Sequence, residues 1–153
     1  MNERIPLATL VPLRIVCGLI LVLEGWSKLQ GDWLHGTPLA LSLGKWLEGD
    51  KPYGFFLPVV RNAYAHPKVF GALVTIGELA VGISLLAGVL TRIGSALGAL
   101  MLFSFAFGNG QGLVPPGNAV LMGLICLVFV VAAPGRVLGV DVFLRGKLPR
   151  WMV

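Results

Sequence analysis

LATLVPLRIVCGLILVLEGWSKL, residues 7–29, decides the fold. It is long enough to cross a bilayer, for which a helix needs about 20 mostly apolar residues. Yet it holds three ionisable side chains, Arg14, Glu24 and Lys28. A simple anchor avoids such residues, because a charge near the bilayer centre costs about 2.5–3.5 kcal/mol even on the most lenient scale. On a helix, Arg14, Gly18, Leu21, Gly25 and Lys28 fall along one stripe, in steps of four and three. Charge at both ends of the stripe and glycines within it mark a face that packs against protein. The opposite face, rich in Leu, Ile and Val, suits lipid.

Composition agrees. The chain has 153 residues, of which 56 % are hydrophobic and only 12 % charged, against about 25 % charged in soluble domains. This predicts an all-α membrane protein with residues 1–153 as one integral domain. The net charge of +5 fits basic residues at membrane edges better than nucleic-acid binding. Cys17 and Cys126 both sit in apolar runs and read as small buried free thiols. The first apolar run is longer than a signal core and no small-residue cleavage site follows it, so it is expected to stay in the mature chain.

Further spans are expected at residues 68–91, with Glu78 near the middle, at 93–108, with a Gly94–Gly98 pair for close helix approach, and at 118–134, which is free of charge. Together with 7–29 these predict a four-transmembrane-helix bundle. In 68–91, Gly71, Val74, Glu78, Gly82 and Leu85 share a face. Between the first two spans lies a long loop, residues 30–67. Within it TPLALSLGKWLEG predicts an amphipathic helix capped by Thr37 with Pro38 in its first turn. FFLPVVRNAYAHP predicts a second, lying flat with Phe55, Phe56, Leu57 and Tyr64 turned inward. Pro115, Pro116 and Gly117 break the chain before Asn118, a candidate cap. The tail, 135–153, carries Arg136, Arg145, Lys147 and Arg150 and is expected along the surface. With Arg4 and Arg92 these basic residues put both termini on the cytoplasmic side and the long loop on the extracytoplasmic side.

Three segments resemble the DoxX family of membrane proteins. LRIVCGLILVLEGWSKL is similar to the family's opening helix, GELAVGISLLAGVLTRIGSALGALML to its second-to-third helix unit, and APGRVLGVDVFL to its closing Pro-Gly-Arg and Gly-x-Asp. The loop KPYGFFLPVVRNAYAHPKVFG looks most like the DoxD branch, the small subunit of thiosulfate:quinone oxidoreductase. The resemblance implies a helix bundle in a bacterial or archaeal cytoplasmic membrane, partner membrane subunits, and quinone as the redox partner. Two roles follow: a subunit of a quinone-linked oxidoreductase, or a non-catalytic accessory subunit of a larger respiratory or photosynthetic complex. No haem, flavin or metal signature is evident. A transporter role is disfavoured, since no inverted repeat is visible.

Ionisable residues inside a membrane are functional candidates by default. Arg14 and Glu78 are expected to pair across the first two spans, either as a structural staple or as the wall of a polar pocket. In the second case Glu78 and Arg14 are the candidate catalytic residues, as proton acceptor and as donor to a carbonyl. Glu24 and Lys28, spaced i, i+4, are an expected helical ion pair. Arg14, Glu24, Lys28, Trp26 and His66 are the candidates for holding a quinone head group. Trp26, Trp33, Trp46 and Trp151 read most simply as an interfacial belt, with an aromatic wall for a quinone ring as the lesser reading.

Overall fold

The apolar stretch that begins at Leu7 enters as a single tight turn, Leu7–Thr9, and continues as helix α1, Leu10–Gln30. Pro12 falls in the first turn of α1, where a missing N–H costs least. The computed structural model describes residues 7–112, 117–144, 146, 147 and 149. After α1 come a tight turn at Trp33–His35, α2 (Thr37–Glu48), α3 (Leu57–Ala65), α4 (Pro67–Ala87), α5 (Thr91–Gly108), α6 (Asn118–Ala132), a tight turn at Pro134–Arg136, and a single helical turn, α7 (Asp141–Leu144). The architecture is all-helical, with no strand among the described residues. Arg4, Pro6, Pro115, Pro116, Arg145, Arg150 and Trp151 lie outside the described residues.

Three segments are long and apolar enough to cross a membrane: Leu7–Gln30, Pro67–Ala87 and Thr91–Gly108. The fourth apolar helix, α6, has 15 residues, about 22 Å at 1.5 Å per residue. Leu23, Leu73, Ile76, Leu100 and Val131 point out from these helices and are exposed, as a lipid-facing surface requires.

Helix α1 runs antiparallel to α4 at very short range. A Cβ built on Gly82 would lie 2.7 Å from the Val22 amide nitrogen, and one on Gly18 would lie 2.8 Å from that of Leu86. The two backbones can touch because both residues are glycine. Lipid tails are as apolar as leucine, so membrane helices associate through such close packing and not by escape from water. Gly94 and Gly98 do the same for α5, meeting Ser84 and Val81 of α4, and Gly98 also meets Cys126 of α6. The core between these helices is Cys17, Leu21, Val81, Leu85, Ala99, Leu102, Cys126 and Phe129. Both thiols are buried and free, as expected.

The long loop is a structured roof. α2 starts at Thr37 behind Gly36, not behind a threonine cap. Gly36 sits at φ +86° beside Pro67 and Lys68, a left-handed conformation that favours glycine. Asn118 likewise is the first residue of α6 and caps nothing with its side chain. Leu39 and Leu43 of α2 pack on Val60 and Ala63 of α3, with Trp46, Phe56 and Phe70 around them. Phe55 and Tyr64 are exposed, and the face that α3 buries against α2 is set by Val60 and Ala63.

Where it is described, most of the tail lies along the surface as expected, with Val137, Leu138, Val142 and Phe143 exposed, but it is pinned inward at its start and at Asp141. Pro134, Gly135 and Asp141 are buried. Asp141 accepts hydrogen bonds from the Leu90 amide (2.6 Å), the Thr91 amide (3.0 Å) and the Thr91 hydroxyl (2.6 Å). A carboxylate from 50 residues away thus satisfies the open N-terminus of α5, where negative charge is favourable. It also holds Leu90 at φ 49°, a left-handed conformation costing a non-glycine residue about 1–2 kcal/mol.

Two outcomes follow. Gly82→Val forces α1 and α4 apart and destabilises the fold by about 3 kcal/mol, the upper end for overpacking, seen as a lower melting temperature in detergent; an unchanged melting temperature would show that the helices are not in backbone contact. Asp141→Ala leaves the α5 amides and Leu90 without their acceptor, and loses about 3 kcal/mol in the same assay.

Candidate functional site

Because α1 and α4 run antiparallel, the register decides which charges meet. Arg14 and Lys28 are 14 positions apart on α1, about 21 Å along the axis. The structure brings Lys28, not Arg14, to Glu78. Lys28 Nζ donates to both carboxylate oxygens of Glu78, at 2.7 and 2.9 Å. The Lys28 side chain is 14 % exposed and that of Glu78 4 %. Glu24 joins at 3.4 Å from Nζ, with its side chain 63 % exposed. The expected Arg14–Glu78 pair is therefore corrected, while the i, i+4 pair of Glu24 and Lys28 is present as the outer arm of a triad.

Arg14 lies at the other end of the bundle and is 3 % exposed. Its guanidinium is walled in by Gly88 and Gly139, where a Cβ would collide with it. Its counter-charge is Asp141. Nε and Nη1 are buried with no hydrogen-bond partner among the described residues. The Arg14 site is packed shut.

The Lys28–Glu78 end is not. Both residues line a cavity of about 540 Å³ whose walls come from α1, the Trp33 turn, α2, α4, α5 and the start of α6. Ile20, Leu21, Glu24 and Lys28 form the α1 side; Trp33, Leu39, Ser42 and Trp46 roof it; Leu102, Phe105, Asn109, Gln111, Asn118 and Met122 close it opposite Glu78. The volume lies within the range of about 300–1,000 Å³ usual for small-molecule sites. Trp33 holds its ring 5.3 Å from Lys28 Nζ, a cation–π contact. It can do so because Gly71 lets the Trp33 carbonyl approach the α4 backbone. Gln111 lines the cavity, but its Oε1 is buried against Gly117 and has no hydrogen-bond partner among the described residues.

Chemically the arrangement offers a carboxylate, an ammonium group and two indole rings around one space. That suits a flat ring with polar substituents. Among the described residues no group of three or more His, Cys, Asp or Glu could hold a metal ion.

Known proteins decide the kinship. The family model DoxX matches residues 9–109. The chain belongs to the DoxX family. No curated protein and no solved structure matches it. The matched region of this DoxX protein contains Lys28, Glu78, both roof helices and all of α5, and stops before Asn118 and the Asp141 segment.

The other candidates fall outside the cavity. Trp26 is 53 % exposed on the outer face of α1. His66 is exposed at the junction of α3 and α4, beside His35, Thr37 and Lys68 in a separate surface recess. His35 itself is engaged with Asp32. Asn109 and Gln111 were not singled out as site residues by the sequence, and Trp33 and Trp46 only through the lesser reading as an aromatic wall. Their signal was weak: Leu39, Ser42 and Trp46 are spaced as one helical face, and Asn109 and Gln111 are polar residues directly after an apolar helix.

The pairing has a sharp consequence. Lys28→Leu and Glu78→Leu each strand a buried charge and destabilise by about 3–5 kcal/mol, whereas the double variant loses much less than the sum. Arg14→Leu combined with Glu78→Leu is additive, since the sites are far apart. Thermal unfolding of the five variants in detergent checks both statements, and additivity for Lys28 and Glu78 would contradict the pairing.

Proposed function

We propose that this DoxX-family protein is the quinone-handling membrane subunit of a redox complex of the thiosulfate:quinone oxidoreductase type. The observation that carries the reading is the buried Lys28–Glu78 pair on the wall of a cavity roofed by Trp33 and Trp46. A quinone takes up two electrons and two protons on reduction. A site for it needs a hydrogen-bond donor to a ring oxygen, a proton-carrying group, planar walls, and shelter from water.

The residues present fit that list. Lys28 donates toward a ring oxygen with the N–H now aimed at Glu24, the longest of its three contacts at 3.4 Å. Lys28 and Glu78, joined by two charge-assisted hydrogen bonds, are the pair through which a proton reaches the reduced ring. Glu24, half outside, links the pair to solvent through Lys28. Trp33 and Trp46 offer faces against which a ring stacks. Arg14, in the closed site, takes a structural role in this reading, with Asp141, instead of the catalytic one its position in α1 suggested.

In the bilayer, α6 serves as the fourth span beside α1, α4 and α5, and α2 and α3 lie across one end. In this reading the end that carries Arg92 and Arg136 is cytoplasmic and the cavity extracytoplasmic. Electrons come from a partner subunit.

The test is reconstitution with copurifying partners. Thiosulfate-dependent reduction of a quinone is expected from the native particle, and Glu78→Gln lowers its rate about 100-fold, the range of a lost proton-transfer group, while quinone is still retained. A particle that carries no quinone and reduces none would leave the accessory-subunit role in its place.

A further inference from the structure

A second cavity, of about 460 Å³, runs along α4 and α5 beneath α2 and α3. It abuts the first: Leu39, Trp46 and Phe105 belong to the walls of both. The two differ sharply in chemistry. The first presents Glu24, Lys28, Glu78, Asn109 and Gln111. Along the second the only hydroxyl among the described residues is Ser104, and it is already spent on the Leu100 carbonyl at 2.8 Å. The rest of that wall is hydrocarbon, aromatic ring, glycine and one thioether. Its outer rim, Leu73, Ala80, Leu97 and Leu100, is exposed on the lipid-facing side of α4 and α5.

We infer that the two cavities form one binding site for a single amphiphile: a quinone ring at Lys28 and Glu78, with a prenyl tail passing Trp46 and Phe105 into the groove between α4 and α5. The inference rests on the quinone reading above and adds the substrate class, a long-tailed membrane quinone.

Charge separates this occupant from a phospholipid whose acyl chain lies in the same groove. A phosphate at the inner end would meet two carboxylates, Glu24 and Glu78, sharing one ammonium. That favours a neutral ring with hydrogen-bonding oxygens. Moving a hydrocarbon tail from acyl chains to an apolar protein wall gains little. Affinity therefore resides in the ring, and the groove acts by giving the tail a way out to lipid. Blocking the groove harms only ligands that have a tail.

The experiment titrates the protein in phosphatidylcholine nanodiscs with a prenyl-tailed quinone and with the same ring lacking its tail. Binding is read by tryptophan quenching and by the quinone retained after washing. Ala80→Phe narrows the groove at its rim; Val131→Phe, on an outer face that is 80 % exposed, is the control. Ala80→Phe is expected to weaken the tailed quinone about tenfold, as an overpacked contact does, and to leave the tail-less ring within about twofold. In the unaltered protein, a quinone with a photoreactive tail is expected to label the α4 and α5 rim at Leu73 or Leu100, which keeps the test independent of how Ala80→Phe folds. Equal affinity for the tailed quinone in both variants, or labelling confined to α1 and α6, overturns the shared site while the ring site stands. Phospholipid retained in the groove alongside bound quinone overturns it too. An unaltered protein that binds neither ligand overturns this inference and the quinone reading together.

Discussion

A charge inside hydrocarbon must find a partner, and here that requirement fixes how the first two long helices meet. Lys28 and Glu78 form a two-pronged ion pair near one end of the α1–α4 contact, while Arg14 is buried near the other, where Asp141 acts on it only as a charge at longer range. Between the two, Gly18, Gly25 and Gly82 let the backbones close up. Sliding one helix past the other by a turn would separate Lys28 from Glu78 and drive Leu79 or Val22 against a backbone that has no room for it. Glycines set the distance and charges set the register. Neither does both: close packing alone permits several registers, and ion pairing alone tolerates a looser contact through long side chains.

That division of labour explains what was legible in the sequence. The stripe Arg14, Gly18, Leu21, Gly25, Lys28 follows helical periodicity, and each of these residues is buried or half-buried in the folded chain. The same holds for Gly71, Val74, Glu78, Gly82 and Leu85, with Thr75 buried beside them. Periodicity says which side of a helix faces protein. It says nothing about axial offset between two helices, so Glu78 could be assigned to the inner face but not to its partner. The offset is set by the path of residues 31–66. That path turns on left-handed residues at Asp32 and Gly36, which no apolar pattern announces. Asp141 was missed for a related reason: a capping contact between positions 141 and 91 leaves no periodic trace, although Gly-x-Asp and Thr-Arg were both visible as motifs.

The loop repays its length by building a wall. Trp33 reaches Lys28 only because Gly71 admits its carbonyl to α4, and Trp46 reaches the cavity only because α2 lies across the ends of α4 and α5 on Val60 and Ala63. Four parallel stretches of apolar helix would enclose little space. An oblique layer laid over them creates a recess whose floor is helix core and whose ceiling is aromatic. Polar residues that follow the apolar run of α5, Asn109 and Gln111, then face inward under that ceiling instead of meeting solvent.

The two ends of the bundle make the final distinction. Arg14 with Asp141, and Lys28 with Glu78, are both buried opposite charges placed on glycine-bearing faces, and burial alone would rank Arg14 as the better candidate because it is the less exposed. The difference lies in what surrounds them. Gly88, Gly139 and Gly135 fill the space around Arg14 and Asp141 with backbone, and Asp141 spends its oxygens on the α5 amides and on Thr91. Lys28 and Glu78 face open volume. A buried pair with no adjoining space can only hold helices together. A buried pair that shapes a cavity can also meet a ligand, so in this DoxX fold it is the available space beside a charge, more than the depth of its burial, that separates a site from a staple.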